Sequence, residues 1–152
     1  MKRRDAPDGA ALSVTEHQVR ILIVDDNETN RLVATAICDV LGFASESVPS
    51  ARLAIDAAAS GRFDLALMDI CMPGMDGVEA TLGIRALESR ASTLPVIAVT
   101  SNAEPHDVAR YLAAGMCAVV AKPIQLGDLC QAMDQALSEG QRWLDMETPF
   151  FL

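Results

Sequence analysis

Five polar residues in this chain could do chemistry together, and four apolar runs lead into them. Asp25 and Asp26 follow "ILIV", Asp69 closes "FDLALMD", Thr100 closes "LPVIAVT" and Lys122 closes "CAVVAK". Three carboxylates gathered in one cleft raise one another's pKa unless a cation neutralises them. A hard divalent cation bound by oxygen does this. Mg2+ takes one or two carboxylates, keeps several waters and bridges to a phosphate. With an ammonium and a hydroxyl beside it, a carboxylate can act as a nucleophile and form an acyl phosphate. Lysine then serves as a point charge on the phosphoryl oxygens, and the threonine hydroxyl bonds another of them. Singly, each residue has an ordinary explanation: a turn acid, a β-branched strand residue, a solvated charge. Only their meeting at one place would lift them above it.

The apolar spacing shows which elements would make them meet. "ILIV" reads as a strand buried on both faces, followed by a helix over 28–41 with Leu32, Val33, Ala36, Ile37, Val40 and Leu41 at helical spacing and Gly42 as its stop. "FASESV" is a weaker strand, and Ser50 caps a helix through Ala59. "FDLALMD" is a third strand, "MPGMDG" a turn shaped by Pro73 and Gly77, and Val78 to about Ser89 a helix. "LPVIAVT" is the fourth strand and 105–114 a helix. "CAVVAK" is the fifth, and Asp128 caps a last helix ending near Ser138, before Gly140. Continuous apolar strands alternating with helices predict a parallel sheet covered on both faces, with right-handed crossovers. With five units, the flavodoxin-like, doubly wound α/β fold with strand order 2-1-3-4-5 is the natural solution. Its ligands bind at the carboxyl ends of the strands, beside the switch point between strands 1 and 3.

Composition narrows the function classes. The chain has 152 residues, half of them hydrophobic, enough for one well-packed domain. A net charge of −9 argues against a nucleic-acid surface, which needs clustered Lys and Arg. The four cysteines are scattered, without metal-ligand spacing. No apolar run is long enough to insert in a membrane and the N-terminus lacks a secretory signal, so the expected compartment is the cytoplasm. The expected organisation is a loose arm over 1–19, the folded domain over 20–140 and a short tail over 141–152 carrying Trp143, Phe150 and Phe151, with no output domain.

The segments "ILIVDDNETNR", "LALMDICMPGMDG", "VIAVTSNA" and "AKPI" resemble the receiver domain of two-component response regulators, most nearly the receivers of hybrid sensor histidine kinases. The resemblance covers roughly residues 20–140. It implies that Asp69 accepts a phosphoryl group from a phosphohistidine on a sensor histidine kinase or a histidine phosphotransfer protein. It also implies that Asp26 and Asp69 bind Mg2+, with Asp25 acting directly or through water and the backbone carbonyl of Cys71 completing the set. Thr100 and Lys122 become the switch hydroxyl and the phosphate-binding lysine, and the Lys122–Pro123 bond is expected to be cis. Asn27, Glu28, Asn30 and Arg31 either dock the partner's histidine-bearing helix or form a solvated helix start. Homodimers are common in the family, and nothing in these residues decides for or against one.

Two departures from the family pattern bear on mechanism. Many receivers carry an aromatic residue three positions before the lysine, where this chain has Val119. Two positions after the phosphoacceptor, where a polar side chain often orients the hydrolytic water, stands Cys71. A thiol bonds poorly, so autodephosphorylation is expected to be slow, with Asn102 the remaining group to orient water. Two other readings compete. One is a Mg2+-dependent aspartyl-phosphate phosphatase of the haloacid dehalogenase type, which would want an acid at the position of Cys71. The other is a pseudo-receiver that only binds protein, against which the intact acidic pair, Asp69, Thr100 and Lys122 argue.

Overall fold

A computed structural model describes residues 18–150, with side chains described through residue 138. The N-terminal arm up to residue 17 and the side chains of Trp143, Phe150 and Phe151 lie outside the described residues. The strands are β1 (Arg20–Val24), β2 (Ala44–Val48), β3 (Leu65–Asp69), β4 (Val96–Thr100) and β5 (Ala118–Ala121). The helices between and after them are α1 (Glu28–Leu41), α2 (Ala51–Ala59), α3 (Gly77–Arg85), α4 (Pro105–Ala113) and α5 (Leu126–Phe150). All strand pairs are parallel and the order is β2-β1-β3-β4-β5, the arrangement the sequence predicts.

The alternation of side chains along the strands divides the core in two. Ile21, Ile23, Leu65, Leu67, Ile97 and Val99 face α1 and α5, where Cys38, Leu129 and Met133 close the layer. Leu22, Val24, Ala66, Met68, Val96 and Ala98 face α2, α3 and α4. β1, β3 and β4 are buried almost throughout, which is why they read as unbroken apolar runs. β2, at the sheet edge, exposes Glu46 and Ser47, and its sequence is correspondingly weak.

Three helix boundaries differ from the sequence reading. α3 stops at Arg85 rather than near Ser89, because the Ser89 side chain accepts from Ala91 N–H and caps a short 3-10 turn over Arg90–Thr93. The Arg85 guanidinium fixes this ending by donating to the carbonyls of Ser92 (3.0 Å) and Gly115 (2.6 Å). α5 begins at Leu126, with Leu129 N–H on the Gln125 carbonyl; Asp128 lies inside the first turn, where the helix dipole favours an acid. It also runs past Gly140 to Phe150, since one interior glycine costs a helix only about 1 kcal/mol.

Gly77, at the start of α3, sits against the end of β3. Its N–H donates to the Ile70 carbonyl at 3.0 Å, and a Cβ there would lie 2.3 Å from the backbone oxygen of Asp69. Backbone atoms cannot rotate away, so Gly77→Ala is expected to destabilise the fold by about 1–3 kcal/mol in urea unfolding. It should also displace the β3–α3 turn, visible as amide shifts over residues 68–78.

Candidate functional site

Sheet register carries four strand ends to one rim. Val24 pairs with Met68, so Asp25 comes level with Asp69; Asp69 pairs with Val99 and Thr100 with Ala121, which places Lys122 one residue beyond. Asp25, Asp69 and Thr100 are buried there, whereas Asp26 is exposed. Lys122 Nζ donates to Asp69 Oδ1 at 2.9 Å and to Asp25 Oδ2 at 3.3 Å. Carboxylate oxygens of Asp25, Asp26 and Asp69 lie within 4.8 Å of one another.

The electrostatics follow from this crowding. Burial pushes the Asp69 carboxyl up; the Lys122 bond pulls it down and the Asp25 charge pushes it up again, leaving it above its ordinary value. Burial pulls the Lys122 ammonium down, but its bonds and charge interactions with Asp69 and Asp25 outweigh this and hold it above its ordinary value. One ammonium against three carboxylates leaves two negative charges unbalanced, the charge of a divalent cation. The donor set is all carboxylate oxygen, which suits a hard ion, and the spread is within side-chain rotation of the roughly 4 Å across a Mg2+ octahedron. The three aspartates could therefore hold such an ion.

The loop after β1 is held from behind. Asp25 Oδ1 accepts the Asn27 N–H at 2.9 Å and the Asn30 side-chain amide at 3.4 Å, and Arg31 donates to the Asp25 carbonyl at 2.8 Å. Asn27 caps α1 by accepting from Asn30 N–H. Of the four residues read as a docking face, Asn30 and Arg31 thus turn part of their bonding inward, while Asn27 and Glu28 are exposed. Sequence reasoning missed this bracing, although the i+5 and i+6 spacing from Asp25 into the first turns of α1 was there to find.

Beyond β3, Cys71 is exposed and its backbone N–H bonds the Asp69 carboxylate. Asn102 is exposed, but its backbone is engaged: the N–H donates to Thr100 Oγ1 at 3.0 Å, and the carbonyl accepts from Tyr111 Oη at 3.0 Å. Tyr111 was not among the residues singled out by sequence. The Lys122–Pro123 peptide is cis. Beside these residues a cavity of about 480 Å3 opens between α1 and the β5–α5 loop, lined among others by Asn30, Val33, Ser101, Lys122 and Pro123. A second cavity of similar volume, by Leu41, Phe43 and Cys130, contains none of the strand-end polar residues. No helix among the described residues is long and apolar enough to cross a membrane.

Known proteins resemble this chain in sequence and in fold. The family model described as "Response regulator receiver domain" matches residues 21–134. The sensor protein GacS of Pseudomonas syringae pv. syringae is 38% identical over 116 residues, covering 75% of this chain but 13% of that protein. The rice (Oryza sativa subsp. japonica) two-component response regulator ORR41 is 39% identical over 112 residues, covering 70% of this chain and 84% of its own length. Among solved structures, the receiver domain of a sensor histidine kinase from Pseudomonas aeruginosa PAO1, with a magnesium ion coordinated in its active-site cleft, superposes with a TM-score of 0.73. That structure is 35% identical and covers 80% of this chain and 98% of its own. This chain spans only a small part of the hybrid kinases it matches. With the family model matching most of its length and every strand in the expected order, the chain belongs to the response regulator receiver domain family.

Proposed function

We propose that this domain accepts a phosphoryl group from a phosphohistidine of a sensor histidine kinase or histidine phosphotransfer protein onto Asp69, with Mg2+ held by Asp25, Asp26, Asp69 and the Cys71 carbonyl. The observation that carries the reading is the contact of Lys122 with both buried carboxylates at the mouth of the sheet. In this scheme Asp69 attacks phosphorus, the O–P bond forms as the P–N bond to the partner imidazole breaks, and the imidazole leaves with a proton from solvent. Lys122 shifts from the carboxylates toward the incoming phosphoryl oxygens, and Thr100 donates its hydroxyl to another. The ion supplies charge neutralisation and orientation. Asn30 and Arg31 keep the Asp25 loop in place through these changes.

Docking of the partner helix is assigned to α1, where Leu32, Val33 and Val40 are exposed apolar residues beside Asn27, Glu28, Asn30 and Arg31. The receiver unit spans about 20–140 and works in the cytoplasm as a signalling module, without turnover of a free substrate. An exposed thiol stands where a phosphatase of this chemistry would want a second acid, at Cys71. Phosphoramidate, a small donor with the same P–N bond, tests the reading. The protein is expected to gain one phosphoryl group and to release inorganic phosphate stoichiometrically. Phosphate release at high turnover, far faster than the adduct decays once donor is removed, would instead favour the phosphatase.

Cys71 and Asn102 set the lifetime. Because the thiol bonds water poorly, the phosphorylated form is expected to persist, and Cys71→Asn to shorten its half-life about tenfold. That factor corresponds to one added hydrogen bond to the attacking water. An unchanged decay, followed by intact mass after donor removal, would contradict this role.

A further inference from the structure

Val119 occupies the place on β5 where an aromatic side chain would be expected to couple the site to the outer face. The structure has a different aromatic nearby. Tyr111, the only tyrosine in the chain, is 1% exposed near the end of α4, and it belongs to the same apolar layer against which Val119 packs. Its hydroxyl reaches back nine residues to donate to the Asn102 carbonyl at 3.0 Å. That carbonyl also receives the Thr100 hydroxyl at 3.4 Å, while Asn102 N–H donates to Thr100 Oγ1 at 3.0 Å. Two hydroxyls, one from the site and one from α4, therefore converge on a single carbonyl oxygen.

We propose that Tyr111 is the positioning residue that ties Thr100 to α4, so that phosphorylation is transmitted through the Thr100–Asn102–Tyr111 bonds in place of an aromatic on β5. The inference rests on the phosphoacceptor reading above. The physical basis is a count of protons. The Thr100 hydroxyl has one to donate, so donating it to a phosphoryl oxygen on Asp69 withdraws it from the Asn102 carbonyl. Tyr111 then becomes that carbonyl's single hydroxyl donor, and the loop must move to follow Thr100 or stay with Tyr111. α4 is suited to respond, because Glu104 makes no side-chain cap and the helix starts on Pro105. The Tyr111 bond is thus a lateral tie between the loop and the far end of the helix.

A single tyrosine gives a probe without a substitution. Wild type carrying 3-fluorotyrosine has one fluorine resonance, which is expected to shift on incubation with acetyl phosphate and Mg2+. The shifted fraction should match the phosphorylated fraction read by intact mass, and no shift should occur in Asp69→Asn. A resonance that stays put while the mass shows the adduct overturns the proposal and leaves the receiver reading intact; absence of the adduct overturns both. Tyr111→Phe keeps the ring and removes only the hydroxyl. Its amide shifts over residues 103–113, normalised to the phosphorylated fraction, are expected to fall to about half of wild type or less. Undiminished shifts would also overturn the proposal, and should the variant fold poorly, the fluorine measurement decides alone.

Discussion

Lys122→Ala is expected to lower the stability of the metal-free protein by about 2–3 kcal/mol at neutral pH. Removing one member of a buried ion pair ordinarily costs about 3–5 kcal/mol, because the partner is left buried and uncompensated. Here the lysine serves two carboxylates at once, Asp69 and Asp25, both with side chains almost fully buried. A quarter of the lysine side chain remains exposed, which moderates the loss. The deficit should shrink when saturating Mg2+ restores positive charge, and shrink again toward acid pH, where the Asp69 carboxyl, held above its ordinary value by burial, takes up a proton and needs no counter-charge. Urea unfolding under these three conditions checks the pattern. Phosphorylation by acetyl phosphate should fall about a hundredfold, the usual effect of losing one charge-stabilising donor in a transition state. A deficit equal in all three conditions would mean that Lys122 acts by packing alone.

Asp69→Asn carries the second large effect, and its sign depends on the metal. Burial, and then the Asp25 charge, hold the folded-state carboxyl of Asp69 above its ordinary value despite the pull of Lys122. A group with a raised folded-state pKa contributes stability that is fully present below its unfolded value, about 3.9. That contribution is lost as pH rises through the folded-state value. Relative to the asparagine variant, which lacks this component, metal-free wild type should therefore lose stability as the solution passes from acid toward neutral, leaving the variant the more stable at pH 7 in EDTA. Saturating Mg2+, at about a hundred times its dissociation constant, adds about 2.7 kcal/mol to whatever binds it. The gain falls mainly to wild type, so the order reverses. An asparagine variant less stable than wild type in EDTA would show that the site is not held under electrostatic strain.

Both effects are expected of a side-chain cluster whose placement was largely legible in the sequence. The fold was legible because β1, β3 and β4 are buried on both faces and so spell continuous apolar runs, and because polar residues interrupt those runs where the strands leave the core. The parallel order then fixes Asp25, Asp69, Thr100 and Lys122 on one rim. Less legible were features set by local competition. Ser89 looks like the end of a helix but caps the next turn, and Arg85 ends α3 by bonds to Ser92 and Gly115, the latter thirty residues away. Asn30 and Arg31 look like surface residues of an amphipathic helix, yet part of their bonding goes to Asp25. Tyr111 sits at an ordinary core spacing, and only the path of the β4–α4 loop reveals what its hydroxyl reaches.

Intact-mass spectrometry after incubation with acetyl phosphate, with and without Mg2+, on wild type and Asp69→Asn tests the central claim most directly. Wild type is expected to gain one phosphoryl group in a reaction that requires Mg2+ and does not occur in Asp69→Asn. A folded, Mg2+-binding wild type that gains nothing, or an adduct that persists in Asp69→Asn, would contradict it.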